Sequence, residues 1–259
     1  MQLSTSQEKE PWKSLPQIRD NLEKEFVRPL YLGESIAPYR ILDPVLAVIP
    51  WSQFETRLLD SQAAQRLGYS HLAKWLANAE SLWTEHGRDQ MSFGERIDYH
   101  GSLAIQFPVV PLSVVYSTSV TLPAARVVSD ARGIIDTKLY WTRVDAKQEG
   151  RYLLAILNSE TARHRAEHLQ SRGQWGARDF HKVILSLPIP SFDASNKSHT
   201  QLAKAAAHAE KVAAGVQLRE GMHFVKARQT IREALREDGI AQKIDDLVAE
   251  LLEGDTITP

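Results

Sequence analysis

The chain has 259 residues, 43% hydrophobic and 24% charged, a composition that excludes wholesale disorder and a length that allows one large domain or two small ones. It has no cysteine, which excludes disulfides, thiolate metal sites and cysteine nucleophiles together. Its formal net charge of −1 argues on its face against a nucleic-acid binder, but the average hides a basic centre and an acidic end. Between Ala125 and Lys182 there are eleven Lys/Arg against seven Asp/Glu, and after Arg236 the sign reverses through Glu237, Asp238, Asp245, Asp246, Glu250, Glu253 and Asp255. Such a distribution is compatible with DNA contact at one surface and protein contact at another, or with two solvated faces.

The N-terminal MQLSTSQEKEPWK lacks the apolar core of a signal peptide, and no run approaches the roughly 18 apolar residues of a membrane span. A cytoplasmic protein without a membrane partner is expected. Residues 1–30 read as a mobile lead-in, within which Arg19–Val27 has the pattern of a short helix that Pro29 stops. Residues 31–102 read as a connector. It opens with the extended, turn-rich Tyr31–Pro50, in which Val45–Ile49 is a candidate strand, and continues with helices over Gln62–Leu67 and Ser70–Glu85. On the second helix Leu72, Trp75, Leu76, Ala79, Leu82 and Trp83 form an apolar stripe, expected to be core or a partner-helix surface. Ser92–Tyr99 reads as irregular.

From Leu103 to Trp141 the period becomes that of strands, with candidates at Leu103–Phe107, Val114–Tyr116, Leu122–Val128 and Gly133–Trp141. Tyr152, Leu153, Ile156 and Leu157 then recur at helical spacing, Asn158-Ser159 can cap a second helix, and that helix carries Arg163, His164, Arg165 and His168. Next, in Gln170-Ser-Arg-Gly-Gln-Trp-Gly-Ala-Arg178, two glycines separated by two residues allow a tight basic loop that holds Arg172, Trp175 and Arg178 together. Val183–Leu187 reads as a strand ended by Pro188 and Pro190. The remainder reads as helix over Ser198–Leu218, Phe224–Arg236 and Ala241–Leu252, with breaks at Gly215, Gly221 and Gly239.

The helix ending Leu-Asn-Ser, the Arg-Gly-Gln-Trp-Gly-Ala-Arg loop, Leu-Pro-Ile-Pro and the long helix after Ser198 resemble the C-terminal target-recognition region of N6-adenine DNA methyltransferases from restriction-modification and phage-defence systems. Related regions occur in type I specificity subunits. The resemblance extends back through Ala124–Trp141, covers about half the chain, and includes Tyr31–Arg40 (YLGESIAPYR), which looks like the segment joining such regions to their methyltransferase domain. It implies an α/β (α+β) fold: a small mixed-sheet recognition domain over 103–192, with the helical connector before it and a helical tail over 193–259. It also implies sequence-specific recognition of double-stranded DNA for a methyltransferase subunit or domain.

The catalytic signatures of that family are missing. There is no Gly-x-Gly cofactor turn and no Asn/Asp-Pro-Pro-aromatic motif to hold a flipped adenine, since Asp43-Pro44 continues with Val45. No catalytic residue and no cofactor are therefore assigned to this chain, and S-adenosylmethionine is expected only in a catalytic partner. The chain is expected to be part or remnant of a methyltransferase, non-catalytic by itself. The residues expected to touch DNA are Arg172, Gln174, Trp175 and Arg178 of the loop, with Lys182, Arg163 and Arg165 nearby. Arginine's donor fork matches guanine edges and phosphates, although Trp175 could equally be a packing plug.

Two other classes remain open. The alanine-rich Leu202–Val216 and the apolar positions Ile240, Ile244, Leu247, Val248 and Leu251 would suit a protein-binding adaptor that acts through the helical tail. Asp130, Asp136 and Lys138 form an Asp…Asp-x-Lys pattern of the kind that binds magnesium in nucleases, though the two carboxylates are close in sequence for that role. No metal ligands are assigned among the nine histidines; His164 and His168 lie one turn apart but sit among arginines that would repel a cation.

Overall fold

A computed structural model describes residues 10–15, 18–87, 90–117, 124–167, 172–173, 176–177 and 184–254. In chain order its strands are β1 (Val27–Tyr31), β2 (Ile36–Ala37), β3 (Arg40–Ile41), β4 (Val45–Val48), β5 (Trp51–Ser52), β6 (Arg57–Leu58), β7 (Ser113–Ser117), β8 (Ala124–Val128), β9 (Ile134–Ile135), β10 (Leu139–Arg143), β11 (Arg172–Gly173) and β12 (Gly176–Ala177). Its α-helices are α1 (Ser61–Arg66), α2 (Ser70–His86), α3 (Phe93–Ile97), α4 (Lys147–Asn158), α5 (Glu160–Glu167), α6 (Lys197–Gly215), α7 (Phe224–Glu237) and α8 (Ile240–Gly254). This is a mixed α/β fold with small sheets and C-terminal helices. None of the described helices is long and apolar enough to cross a membrane.

The chain divides into two compact units built from alternating stretches. One contains Met1–Leu30, Val45–Val109 and Arg132–Thr137, the other Tyr31–Pro44, Val110–Ala131 and Lys138–Pro259.

In the first unit β1 lies between β4 and β9, and its register with β4 pairs Pro29 with Leu46. The helix expected over Arg19–Val27 is only a single 3-10 turn, Lys24–Phe26. Pro29 does not stop a helix but lies within β1, because proline pushes the residue before it into extended geometry and Arg28 continues the strand. The stripe of α2 is core: Leu72, Ala73 and Leu76 are buried with Phe26, Leu59, Ala63 and Ala64, while Trp75 packs half-buried against them. Caps fix both helices. Asp60 Oδ1 accepts from the Ala63 N–H at 2.7 Å, and the Glu23 carboxylate reaches across to accept from His71 N and Leu72 N. Ser92–Tyr99 is not irregular, since Ser92 and Glu95 form a capping box that starts α3.

The strand expected over Leu103–Phe107 is instead a 3-10 turn, Ala104–Gln106. Asp98 Oδ1 accepts from both Leu103 N and Ala104 N at 2.9 Å, which commits the backbone to a turn. The buried Gln106 side chain then takes the place of a neighbouring strand, donating to Ile135 O at 2.9 Å and accepting from Ile135 N at 2.8 Å.

In the second unit β7 is the centre of an antiparallel sheet ordered β10-β7-β8. Every residue of β7 is buried. The helix α4 lies between this sheet and α6, with Tyr152, Leu154, Ala155, Ile156 and Leu157 all buried. The alanine-rich face explains the close approach: Ala203, Ala205, Ala206, Ala209 and Ala213 are all buried. Ile240, Ile244, Val248 and Leu251 of α8 join the same core, with Leu247 half-buried against it. The alanine run and these apolar positions are therefore spent inside the chain and do not form the partner surface expected of an adaptor. The expected strand at Val183–Leu187 is, over its described part, a 3-10 turn at Ile184–Ser186 with Ile184 buried. A five-residue apolar run does not itself distinguish a strand from a buried turn.

Gly150 marks a close contact between α4 and the sheet. A Cβ there would lie 2.8 Å from Val127 Cγ2 and 3.4 Å from Val144 Cγ2. Helix propensity favours alanine by roughly 1 kcal/mol, but overpacking against stiff β-branched residues costs about 1–3 kcal/mol. Gly150→Ala is expected to lower stability by about 1–2 kcal/mol in urea unfolding, against the direction that propensity alone would give.

Candidate nucleic-acid interface

The basic stretch begins on the helical hairpin α4–α5, whose turn is held by two consecutive polar residues with different tasks. Ser159 Oγ accepts from Ala162 N at 3.2 Å, capping α5, and donates to Asp245 Oδ1 on α8 at 2.7 Å. Asn158 does not cap. Its carboxamide accepts from Ala125 N at 2.9 Å and donates to Ala125 O and Leu154 O at 3.0 Å, so it ties the end of α4 to the edge strand β8.

On α5, Arg163 Nε donates to Glu160 at 2.6 Å, and its guanidinium also pairs with Glu167 one turn on. Arg165 pairs with Glu253 of α8 at 3.0 Å. Both arginines expected at the DNA surface thus already hold carboxylates. Such exposed pairs are worth about 0–1 kcal/mol, little enough for phosphates to compete for the same cations. His164 Nε2 lies 2.8 Å from Arg163 Nη2. His168 lies outside the described residues.

Within the loop, Arg172 pairs with Ala177 and Gly173 with Gly176 in an antiparallel register. The two glycines expected to shape the loop therefore face each other across a two-stranded ribbon. Gln174, Trp175, Arg178 and Lys182 lie outside the described residues, as does Val183.

After the loop, the Leu-Pro-Ile-Pro segment is anchored by aromatic packing and backbone capture. Tyr152 donates its hydroxyl to Pro190 O at 2.9 Å, and its ring lies 4.7 Å from that of His199 and 5.6 Å from that of Phe192. The Asp193 N–H donates to His199 Nδ1 at 3.0 Å, which assigns the neutral ring's proton to Nε2. His199, 4% exposed, is thus a packed structural residue.

Several charged groups of the second unit gave no sign of their role in the sequence. Arg228, 1% exposed, donates through Nε to Ile36 O at 2.8 Å and through Nη2 to Gly33 O at 2.6 Å and Ser117 Oγ at 3.0 Å. It fixes the Tyr31–Pro44 stretch onto the sheet. Burial lowers its pKa to about 10, which leaves it charged at neutral pH. Glu210 accepts from Arg126 and, in a two-pronged contact at 2.9 and 2.7 Å, from Arg151, joining α6 to β8 and α4.

Glu160 accepts from Arg232 as well as from Arg163. Burial works to raise its pKa, but the Arg163 hydrogen bond and the charges of Arg232 and Arg163 outweigh that and hold it below the ordinary value. A carboxylate with a depressed folded pKa contributes stability that is present above its unfolded pKa of roughly 4.3 and is lost as pH falls through the folded value. Glu160→Gln is therefore expected to have a lower Tm than the parent at pH 7, with the gap closing below about pH 4. A gap unchanged down to about pH 3 would show that the ion pairs carry none of it.

Of the Asp130, Asp136 and Lys138 pattern, Asp130 accepts from the Tyr31 hydroxyl at 3.2 Å. Among the described residues no group of three or more His, Asp or Glu side chains is placed to hold a metal ion. No family model matches this chain, and none of the curated proteins is significantly similar to it.

Proposed function

We propose that this protein reads a short sequence on duplex DNA for an N6-adenine methyltransferase of a restriction-modification or related defence system. It acts in the cytoplasm without chemistry of its own, and S-adenosylmethionine belongs to the catalytic partner. The observation that carries this reading is the register of the basic loop. Gly173 opposite Gly176 and Arg172 opposite Ala177 make a two-stranded ribbon at the centre of the Arg-Gly-Gln-Trp-Gly-Ala-Arg motif. A two-stranded ribbon fits the major groove of B-DNA, and glycines let its backbone come close to the bases. The local excess of Lys/Arg between Ala125 and Lys182 supplies the phosphate attraction that such docking needs.

Arg172→Ala and Arg178→Ala, each measured for binding to duplex DNA at several salt concentrations, test the reading. Loss of a guanine contact costs roughly 1–3 kcal/mol and relaxes preference at one base pair; loss of a phosphate contact weakens all sequences alike and reduces the salt slope by about one. Two folded variants with the parental affinity, salt slope and preference would make the loop a structural turn.

A further inference from the structure

We propose that a cavity in the second unit binds a small zwitterion of the α-amino-acid class with an aliphatic side chain. The cavity, about 320 Å³, lies where the ends of α4 and α7 meet the beginnings of α5 and α8. That volume is at the lower end for small-molecule sites, which run from roughly 300 to 1,000 Å³. The inference does not rest on the DNA-reading role.

Two charged groups of opposite sign line the cavity with binding capacity to spare. Arg236 uses its Nε on Arg232 O at 3.3 Å, and its two terminal nitrogens have no partner among the described residues. Asp245 commits Oδ1 to Ser159 Oγ and Thr161 N, while its Oδ2 has no partner among the described residues. Arg236 is exposed and Asp245 half-buried, so both can be reached from solvent. The other carboxylate of the lining, Glu160, is already shared by Arg163 and Arg232 and offers an incoming cation little.

The remaining lining sets the body of the ligand. Leu235, Ile244 and Pro38 present buried apolar surface, which suits an aliphatic side chain. Tyr39 is fully buried there with φ at +58°, a conformation that bulky residues seldom adopt and that its N–H holds by donating to Ala125 O. Arg232, 8% exposed, donates to Glu160 Oε1 at 2.8 Å, which leaves the Arg236 fork as the open donor of the lining. A ligand carboxylate would accept from the Arg236 fork, its ammonium would donate to Asp245 Oδ2, and its side chain would cover the apolar wall.

The test is calorimetric titration of the full chain with L-leucine, L-leucinamide, which lacks the carboxylate, and 4-methylpentanoate, which lacks the ammonium. The expected result is saturable leucine binding at about 1 mM or tighter, with each analogue weaker by about tenfold or more. Arg236→Ala, at an exposed position, should reduce leucine to the level of leucinamide and leave leucinamide unchanged, with the parental thermal unfolding showing that the variant is folded. The proposal is overturned if leucine gives no saturable binding up to about 10 mM, if the analogues bind as well as leucine, or if a folded Arg236→Ala retains the parental affinity for leucine.

Discussion

Replacing Arg228 by alanine is expected to destabilise the protein by about 3–5 kcal/mol, more than any other substitution proposed for this chain. The guanidinium is the donor for Ile36 O, Gly33 O and Ser117 Oγ at a position that is 1% exposed. Each buried acceptor that loses its partner costs about 1–3 kcal/mol, and relief from burying a charge offsets part of that sum. The long side chain also packs against the Phe224 ring, 5.1 Å away, so truncation leaves a void as well. Arg228→Met keeps most of the volume and separates the two losses, because its deficit reports the lost hydrogen bonds net of the relief from burying a charge, without the void. Urea unfolding of the parent, Arg228→Ala and Arg228→Met measures all three. An Arg228→Met variant within about 1 kcal/mol of the parent would mean that water replaces the guanidinium and that Tyr31–Pro44 is held by its apolar residues.

Asn158→Leu is expected to cost about 2–4 kcal/mol with almost no change in volume. The leucine would lose the bond to Leu154 O and both bonds to Ala125, of which the Ala125 N–H, facing outward from the edge strand β8, would be left without an acceptor. Ala125 O keeps the donor Tyr39 N at 3.2 Å, so the deficit should be dominated by one orphaned donor. Hydrogen exchange localises the effect: the Ala125 amide should lose protection far beyond the global change, while amides in β10 track the global change. Equal loss in both strands would show that Asn158 supports the sheet as a whole and not its edge.

How legible these features were depended on whether burial and periodicity agreed. The helices α2 and α8 are legible because their apolar residues recur at helical spacing over ten or more residues, α4 from the shorter repeat Tyr152–Leu157, and α6 from its alanine run. The strands β4, β7 and β8 were visible as short β-branched runs between turn residues. Leu103–Phe107 and Val183–Leu187 differ from expectation because a mostly apolar run of five residues fits a strand and a buried turn alike; at the first of them the deciding groups are the polar Asp98 and Gln106. The capping box of Ser92 and Glu95 was in plain view but outweighed by the polar residues around it.

Buried arginines are the harder case. On α7 the stripe Ala227, Ile231 and Leu235 marks the inward face, and Arg228 and Arg232 each sit one residue after a stripe position. Helical spacing puts Arg228 on the flank of that face, beside Leu235, and Arg232 further round it; their charge, not their position, assigns them to the surface, and only the backbone carbonyls and Glu160 that meet them reverse that. Asn158 was likewise legible as a helix-end residue but not as a clamp on Ala125, which is 33 residues away in sequence.

The most direct test of DNA reading is selection of bound duplexes from a randomised pool by the full chain, repeated at several salt concentrations. The expected result is enrichment of one short sequence, with total binding falling steeply as salt rises and the preferred sequence unchanged. Retention without enrichment, or binding indifferent to salt, would contradict the account and leave the Gly173–Gly176 ribbon as a structural turn.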